Sequence, residues 1–319
     1  MSQAIRQSLQ RYTVVVRGLS LRVWRLRSDA ADAPKVLFLH GFLDHGLSFL
    51  PMLRSLEGKV DAWLVDHRGH GESDWIGPGG QYHFYDYYHD IVEIVQQLDL
   101  TDIHVCAHSM GGMIAVGLAA LKPDRVASLL LLDGMGPLAR SADRAVVMLQ
   151  DWVAAMQTPG FAGDPQTRKQ ARRPMPSVQA AADKLCAVNP RLLPARAIQF
   201  ATTNTEAYSA DDPDDSRVVW RHDPLHRTPA ARPFRIDEAL HLWKGVHCPV
   251  LAIYPEELSP WHPDDLAERE ACMPQLQRGM LPGTAHNLHH DAPEVLATVF
   301  GQWLAHPGQH PAALQAWHG

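Results

Sequence analysis

The sequence predicts an α/β protein: a mostly parallel central sheet with helices on both faces and a helical insertion between its two parts. Three observations carry this. Short apolar runs recur at residues 36–39, 62–65, 128–133 and 249–254, too short for helices and without strand alternation, as expected of strands buried on both faces. Stretches with helical periodicity separate them, and that alternation argues for parallel strands joined by crossovers. The alternation stops near Pro137 and resumes near Pro249.

Taken in order, residues 12–17 and 19–26 read as a hairpin turning at Gly18. The strands 36–39 and 62–65 flank a helical stretch at 47–56. Residues 84–98 form an amphipathic helix with Tyr87, Ile91, Ile94, Val95 and Leu98 on one face. A strand at 103–107, a helix at 110–121 and the strand 128–133 follow. Residues 137–245 carry helical patterns broken by proline, glycine and the acidic loop 209–215, and read as a helical cap inserted into a core made of 1–136 and 246–306. After the strand 249–254 come a helix at about 264–272, a strand at 276–281 and a helix at 293–304. Residues 307–319, rich in Pro, Gly and His, are expected to form a flexible tail. No internal repeat is visible.

Bulk properties exclude several classes. With 46% hydrophobic and 20% charged residues, the chain is globular rather than disordered. A net charge of −6 supplies no electrostatic reason to bind nucleic acid or an anionic membrane, and no apolar run reaches membrane-spanning length. Cys106, Cys186, Cys248 and Cys272 are widely spaced with no CxxC pair, so they read as free thiols in a reducing compartment. The first residues lack a secretory layout. A cytoplasmic protein without a cofactor is expected, its oligomeric state left open.

The most informative stretch is 103–112. An apolar strand breaks at Ala107-His108-Ser109-Met110-Gly111 and resumes as a helix rich in small residues. A serine with little bulk at both i−2 and i+2 can occupy a strained strand-to-helix turn, its hydroxyl clear of the sheet. An isolated Ser-x-Gly equally describes a capping serine; two further signals decide for a nucleophile. His286 follows Pro282-Gly283-Thr284-Ala285 just past the last strand, at the sheet edge where such folds gather ligands. A neutral imidazole there can take the Ser109 proton. His40-Gly41-Phe42 ends the strand 36–39, and the Phe42 N–H with that of Met110 can hold a developing oxyanion. His289, His290 and Asp291 superficially suggest a metal cluster, but contiguous residues rarely converge on one ion, so no metal is expected.

These motifs, together with Asp66-His67-Arg68-Gly69-His70-Gly71-Glu72-Ser73, resemble the α/β-hydrolase superfamily over nearly the whole chain. The segments Trp220-Arg221-His222-Asp223-Pro224 and Leu131-Leu132-Asp133-Gly134 more loosely resemble serine hydrolase-like proteins. The resemblance implies Ser109 as nucleophile, His286 as base, Phe42 and Met110 as the oxyanion hole, and the Asp66–Gly71 turn as structural. Ala107 stands where the motif usually has glycine. Many relatives carry the triad acid in a Gly-x-x-Asp turn after the strand matching 250–254, but here Leu258 occupies that place. Haloalkane-dehalogenase-like members carry it at the end of the strand after the nucleophile helix. That position is Asp133, which is preferred, with Glu257 and then Glu256 as alternatives; a plain strand-end turn is the competing reading of Asp133.

A serine excludes mechanisms that need an aspartyl nucleophile. The expected activity is hydrolysis of a small to medium hydrophobic carboxylic ester through an acyl-enzyme, with perhydrolase or halide-oxidising side activity open. Carbon–carbon hydrolysis of a vinylogous diketone, or a non-catalytic ligand-binding role, are the alternatives. Met148, Trp152 and Met156 recur at helical spacing and read first as the cap's own core, second as an acyl pocket. Trp75, Trp220 and Trp261 are candidates for the border of the cleft.

Overall fold

The computed structural model describes residues 9–56, 58–158, 163–209, 211–212, 214–257 and 265–316. Its strands are β1 (Leu9–Val16), β2 (Leu19–Leu26), β3 (Lys35–Leu39), β4 (Asp61–Val65), β5 (Ile103–His108), β6 (Val126–Leu132), β7 (Thr205–Ala207), β8 (Val218–Trp220), β9 (Val250–Pro255), β10 (Leu276–Leu281) and β11 (Gln315–Ala316). The main sheet runs β1-β2-β4-β3-β5-β6-β9-β10-β11. From β4 to β10 every pairing is parallel, and antiparallel strands close both edges.

Alternation of side chains explains why the central strands are apolar throughout. Leu37, Leu39, Val105, Ala107, Leu129 and Leu131 bury on one face. Their neighbours Val36, Phe38, Cys106, Leu130 and Leu132 bury on the other. The helices α2 (Phe84–Gln97) and α3 (Met110–Leu121) cover the first face, and α1 (Leu50–Ser55) and α11 (Pro293–Ala305) the second. In register, Ala107 lies beside both Leu39 and Leu131, and Leu132 beside Ile253. The C-terminal ends of β3, β5, β6 and β9 therefore line up, and the loops leaving them share one edge.

Between β6 and β9 lie α4 (Ala145–Met156), α5 (Pro165–Gln170), α6 (Val178–Val188), α7 (Pro194–Asn204), the β7–β8 pair and α8 (Ile236–Trp243). Met175, Ala181, Leu192, Phe200 and Val218 give part of this segment a core of its own. Helix α8 packs with the sheet instead: Ala239 and Trp243 join the cluster on the α2/α3 face, although they fall inside the stretch expected to form the cap. The insertion is tied down by a buried ion pair, Arg168–Asp223 at 2.8 Å, in which Asp223 also accepts from the Tyr82 hydroxyl.

The rest of the core is α9 (Leu266–Ala271), α10 (Leu288–Asp291) and α11. The chain end departs from the expectation of a frayed tail. Gln315 and Ala316 pair with Met280 and Gly279 of β10, and Leu314 is buried. Gly279 makes this possible, since a Cβ there would lie 2.4 Å from the Leu314 side chain. No helix among the described residues is long and apolar enough to cross a membrane.

Candidate active site

Ser109 sits between β5 and α3 with φ +50° and ψ −116°, a region L-residues rarely adopt. The turn is held from three sides. The Ser109 N–H donates to Leu132 O at 3.0 Å and Gly112 N–H donates to Ser109 O at 2.9 Å. A Cβ on Gly111 would lie 2.3 Å from Leu39 O, and one on Gly112 would lie 2.5 Å from Gly134 O. Small residues in this helix thus let the Ser109 turn approach the ends of β3 and β6. Ala107, where the motif usually carries glycine, is fully buried in the sheet.

Asp133 occupies the matching turn after β6, also at positive φ (+43°), with its N–H donating to Ile253 O at 2.9 Å. His286 comes from the loop after β10. Its Nε2 lies 3.0 Å from Ser109 Oγ and its Nδ1 lies 2.6 Å from Asp133 Oδ2. The carboxylate is nearly buried, whereas His286 is about one-third exposed. An imidazole so placed accepts the hydroxyl proton on one nitrogen while the carboxylate holds the proton on the other. The two alternative acids are elsewhere. Glu257 pairs with Arg191 at 2.9 Å in solvent, and Glu256 accepts from the Gly283 N–H.

The backbone on the far side of Ser109 is brought close by Gly41. A Cβ there would lie 2.6 Å from His108 Nδ1 and 3.2 Å from Ser109 Cβ. Phe42 follows, its ring half exposed and edge-on to His70 and His226. The loop is fixed by His70, whose Nδ1 donates to Arg68 O at 3.0 Å and whose Nε2 accepts from Leu43 N–H at 3.2 Å. That tautomer requires a neutral ring, and burial lowers His70 to about 4. Met110 opens α3, so its N–H belongs to the first helical turn, whose donors have no intrahelical partner.

The Asp66–Ser73 turn is built as a scaffold. Asp66 accepts from Gly46 N–H (2.7 Å), Glu72 N–H (2.9 Å) and Trp24 Nε1 (3.1 Å). Arg68 makes two 2.6 Å bonds to Asp90. Gly71 has φ +53° and a Cβ there would lie 2.3 Å from Asp66 Cγ.

The sequence did not single out His108. Its Nε2 donates to His286 O at 2.8 Å, so the residue before Ser109 anchors the loop of His286. Nothing in the local sequence signals this, because 178 positions separate the two. The residues expected to line the cleft fare differently. Trp75 is buried and donates to Arg221 O at 3.2 Å, so it joins core and insertion rather than facing a cleft. Trp220 stacks near His222 and packs against the insertion core. Met148, Trp152 and Met156 form the half-buried face of α4, which has no fully buried residue. They are not part of the insertion's buried cluster. Trp261 lies outside the described residues.

The aligned strand ends, the strained serine and the adjoining imidazole define the class as a wound α/β sheet with a Ser–His–Asp arrangement at one edge. A family model of the alpha/beta hydrolase fold matches residues 34–230, more than half of the chain; the chain belongs to this family. It is similar to a serine hydrolase-like protein of Dictyostelium discoideum, 28% identical over 228 residues, covering 70% of this chain and 60% of that protein. A putative carbamate hydrolase of Caulobacter segnis is 32% identical over 31% of this chain and 37% of its own. The matches thus span between about a third and three fifths of these relatives' lengths. Among solved structures, a hypothetical protein of Pseudomonas aeruginosa superposes with TM-score 0.76 at 24% identity, over 93% of this chain and 99% of its own. A thioesterase domain from the curacin biosynthetic pathway gives 0.73 at 23%, over 91% and 97%.

Proposed function

We propose that the protein is a serine hydrolase that cleaves a small to medium hydrophobic carboxylic ester through an acyl-enzyme. The observation that carries this is the unbroken chain Ser109 Oγ–His286 Nε2 at 3.0 Å and His286 Nδ1–Asp133 Oδ2 at 2.6 Å. His286 removes the Ser109 proton as Oγ bonds to the ester carbon, and the carbonyl oxygen becomes an oxyanion facing the N–H groups of Phe42 and Met110. The tetrahedral species expels the alcohol, which takes the proton from His286. Water, deprotonated by the same imidazole, then releases the acid and restores Ser109. Asp133 keeps the proton on Nδ1 and stabilises the imidazolium.

The relatives called serine hydrolase-like and putative carbamate hydrolase support acyl chemistry at a serine rather than alkyl-ester chemistry at a carboxylate. The half-buried Met148–Trp152–Met156 face supplies apolar surface for the acyl group. A cytoplasmic setting fits four unpaired cysteines, one of them fully buried.

A fluorophosphonate probe should label the wild type and fail on Ser109→Ala. A series of p-nitrophenyl esters should show saturable turnover with an optimum at short to medium acyl length. Labelling that persists in Ser109→Ala, or no turnover of any ester in a labelled enzyme, overturns the reading.

A further inference from the structure

Helix α10 begins two residues after His286 and carries the His-His-Asp triplet at 289–291. As expected of adjacent residues, the three do not converge. Asp291 turns away to accept from Asn189 Nδ2 at 2.6 Å and from Ala285 N–H at 2.9 Å. Both imidazoles nevertheless meet a carboxylate, contributed from across the site by Asp44 of the loop that follows Phe42. Asp44 Oδ2 lies 3.2 Å from His289 Nε2 and 3.4 Å from His290 Nε2, and the donor atoms of all three residues lie within 4.8 Å of one another.

Hydrogen bonding accounts for only part of this cluster. His290 Nε2 is shielded from solvent and has no hydrogen-bond partner, although a carboxylate oxygen is 3.4 Å away. A nitrogen and an oxygen this close, with no hydrogen bond between them, are placed as two ligands of a common ion can be. Bonds of about 2.0–2.1 Å in a tetrahedral zinc site place neighbouring ligand atoms about 3.3–3.4 Å apart, which matches the two separations from Asp44. Ser48 Oγ, 2.8 Å from Asp44 Oδ2 and 3.3 Å from His289 Nε2, sits beside the same point. The rings are already fixed. His289 stacks on Phe49 at 4.6 Å and His290 on Phe200 at 4.1 Å, while His45 Nδ1 lies 3.2 Å from the second Asp44 oxygen. Two imidazoles and one carboxylate suit zinc and its transition-metal neighbours and not magnesium or calcium.

We propose that Asp44, His289 and His290 form a binding site for one divalent transition cation of the zinc type. The cation bridges the loop carrying Phe42 to the segment that follows His286. Because the ring of His108 packs 4.8 Å from that of His286 and 4.6 Å from that of His289, the site braces both flanks of Ser109 without touching it.

The test is calorimetric titration of the chelator-treated full chain with zinc chloride, alongside its thermal midpoint with and without zinc. Wild type should take up one zinc per chain and melt higher with it. His290→Gln and Asp44→Asn should each weaken binding by roughly tenfold or more and lose most of the midpoint shift. His310→Gln, at an exposed histidine, should behave as wild type. Should a variant fail to fold, cobalt(II) added to wild type decides: intense visible absorption marks a tetrahedral site. Absence of zinc uptake by wild type, unchanged affinity in His290→Gln, or only the weak spectrum of octahedral cobalt overturns the proposal. None of these readouts depends on Ser109 chemistry.

Discussion

Replacing Asp133 by asparagine isolates the carboxylate's part in the site while leaving its shape nearly unchanged. The wild-type contact to His286 Nδ1 is 2.6 Å and the side chain is 6% exposed, so the bond is charge-assisted and poorly screened. In the resting state such a bond contributes about 1.5–3 kcal/mol. When His286 becomes an imidazolium, two unit charges about 4 Å apart at an effective dielectric near 20 attract by about 4 kcal/mol. Asparagine loses that attraction, and if its amide nitrogen faces the ring it also imposes the tautomer that cannot accept the Ser109 proton. A rise in the barrier of about 4–5 kcal/mol follows, or roughly 10³- to 10⁴-fold in kcat/KM. Steady-state hydrolysis of a p-nitrophenyl ester measures it, with circular dichroism to verify the fold. Glu257→Gln is the internal control. Its exposed pair with Arg191 is worth at most about 1 kcal/mol, so its rate should stay within about twofold of wild type. Activity of Asp133→Asn within tenfold of wild type, with Glu257→Gln or Glu256→Gln crippled, would refute the assignment.

Three further outcomes are expected. His67 and His222 are lowered by burial to about 3, and His70 to about 4, from an ordinary 6.5. Between pH 6.5 and 4 the unfolded chain therefore binds protons that the folded one refuses, and stability falls with pH across that window. At about pH 5.5 each ring costs on the order of 1 kcal/mol relative to neutrality, about 3–4 kcal/mol together; urea unfolding at stepped pH reads this, and a flat profile contradicts it. Asp223→Ala leaves Arg168, 2% exposed, as a buried unpaired charge and should cost about 3–5 kcal/mol in the same assay. A loss below 1 kcal/mol would mean that solvent reaches the pair. Gly41→Ala drives a methyl to 2.6 Å from His108 Nδ1 and 3.2 Å from Ser109 Cβ. It should lower kcat by roughly 10²-fold or more with KM little changed; a wild-type kcat would remove this loop from the reacting centre.

Much of this was legible in the chain because it depends on neighbours in sequence. Apolar runs at 36–39, 103–107 and 249–254 announce buried strands whichever way they pair. Ala107, Ser109 and Gly111 announce a turn whose strain only small flanking residues permit. The order of Ser109, Asp133 and His286 follows the order of strand ends at one sheet edge. What failed had a common cause. Trp75 stands on the right loop for a cleft, but it is buried and its indole N–H donates to Arg221 O, 146 positions away. The chain end looked frayed because its composition is loop-like, yet a single glycine in β10 gives Leu314 room to bury. Composition speaks for a segment, and its partner decides whether that segment is covered.

The sequence by itself thus determined the α/β class, the strained serine and the histidine beside the last strand, since local sterics and periodicity are written into adjacent residues. Only the tertiary structure decided which carboxylate meets that histidine, that His108 anchors its loop, and that His289 and His290 face Asp44 rather than Asp291. Each of those outcomes is a contact over more than a hundred residues of chain. Such a contact is set by how strand ends align across the sheet, and that alignment is a property of the packed layers rather than of any one stretch of residues.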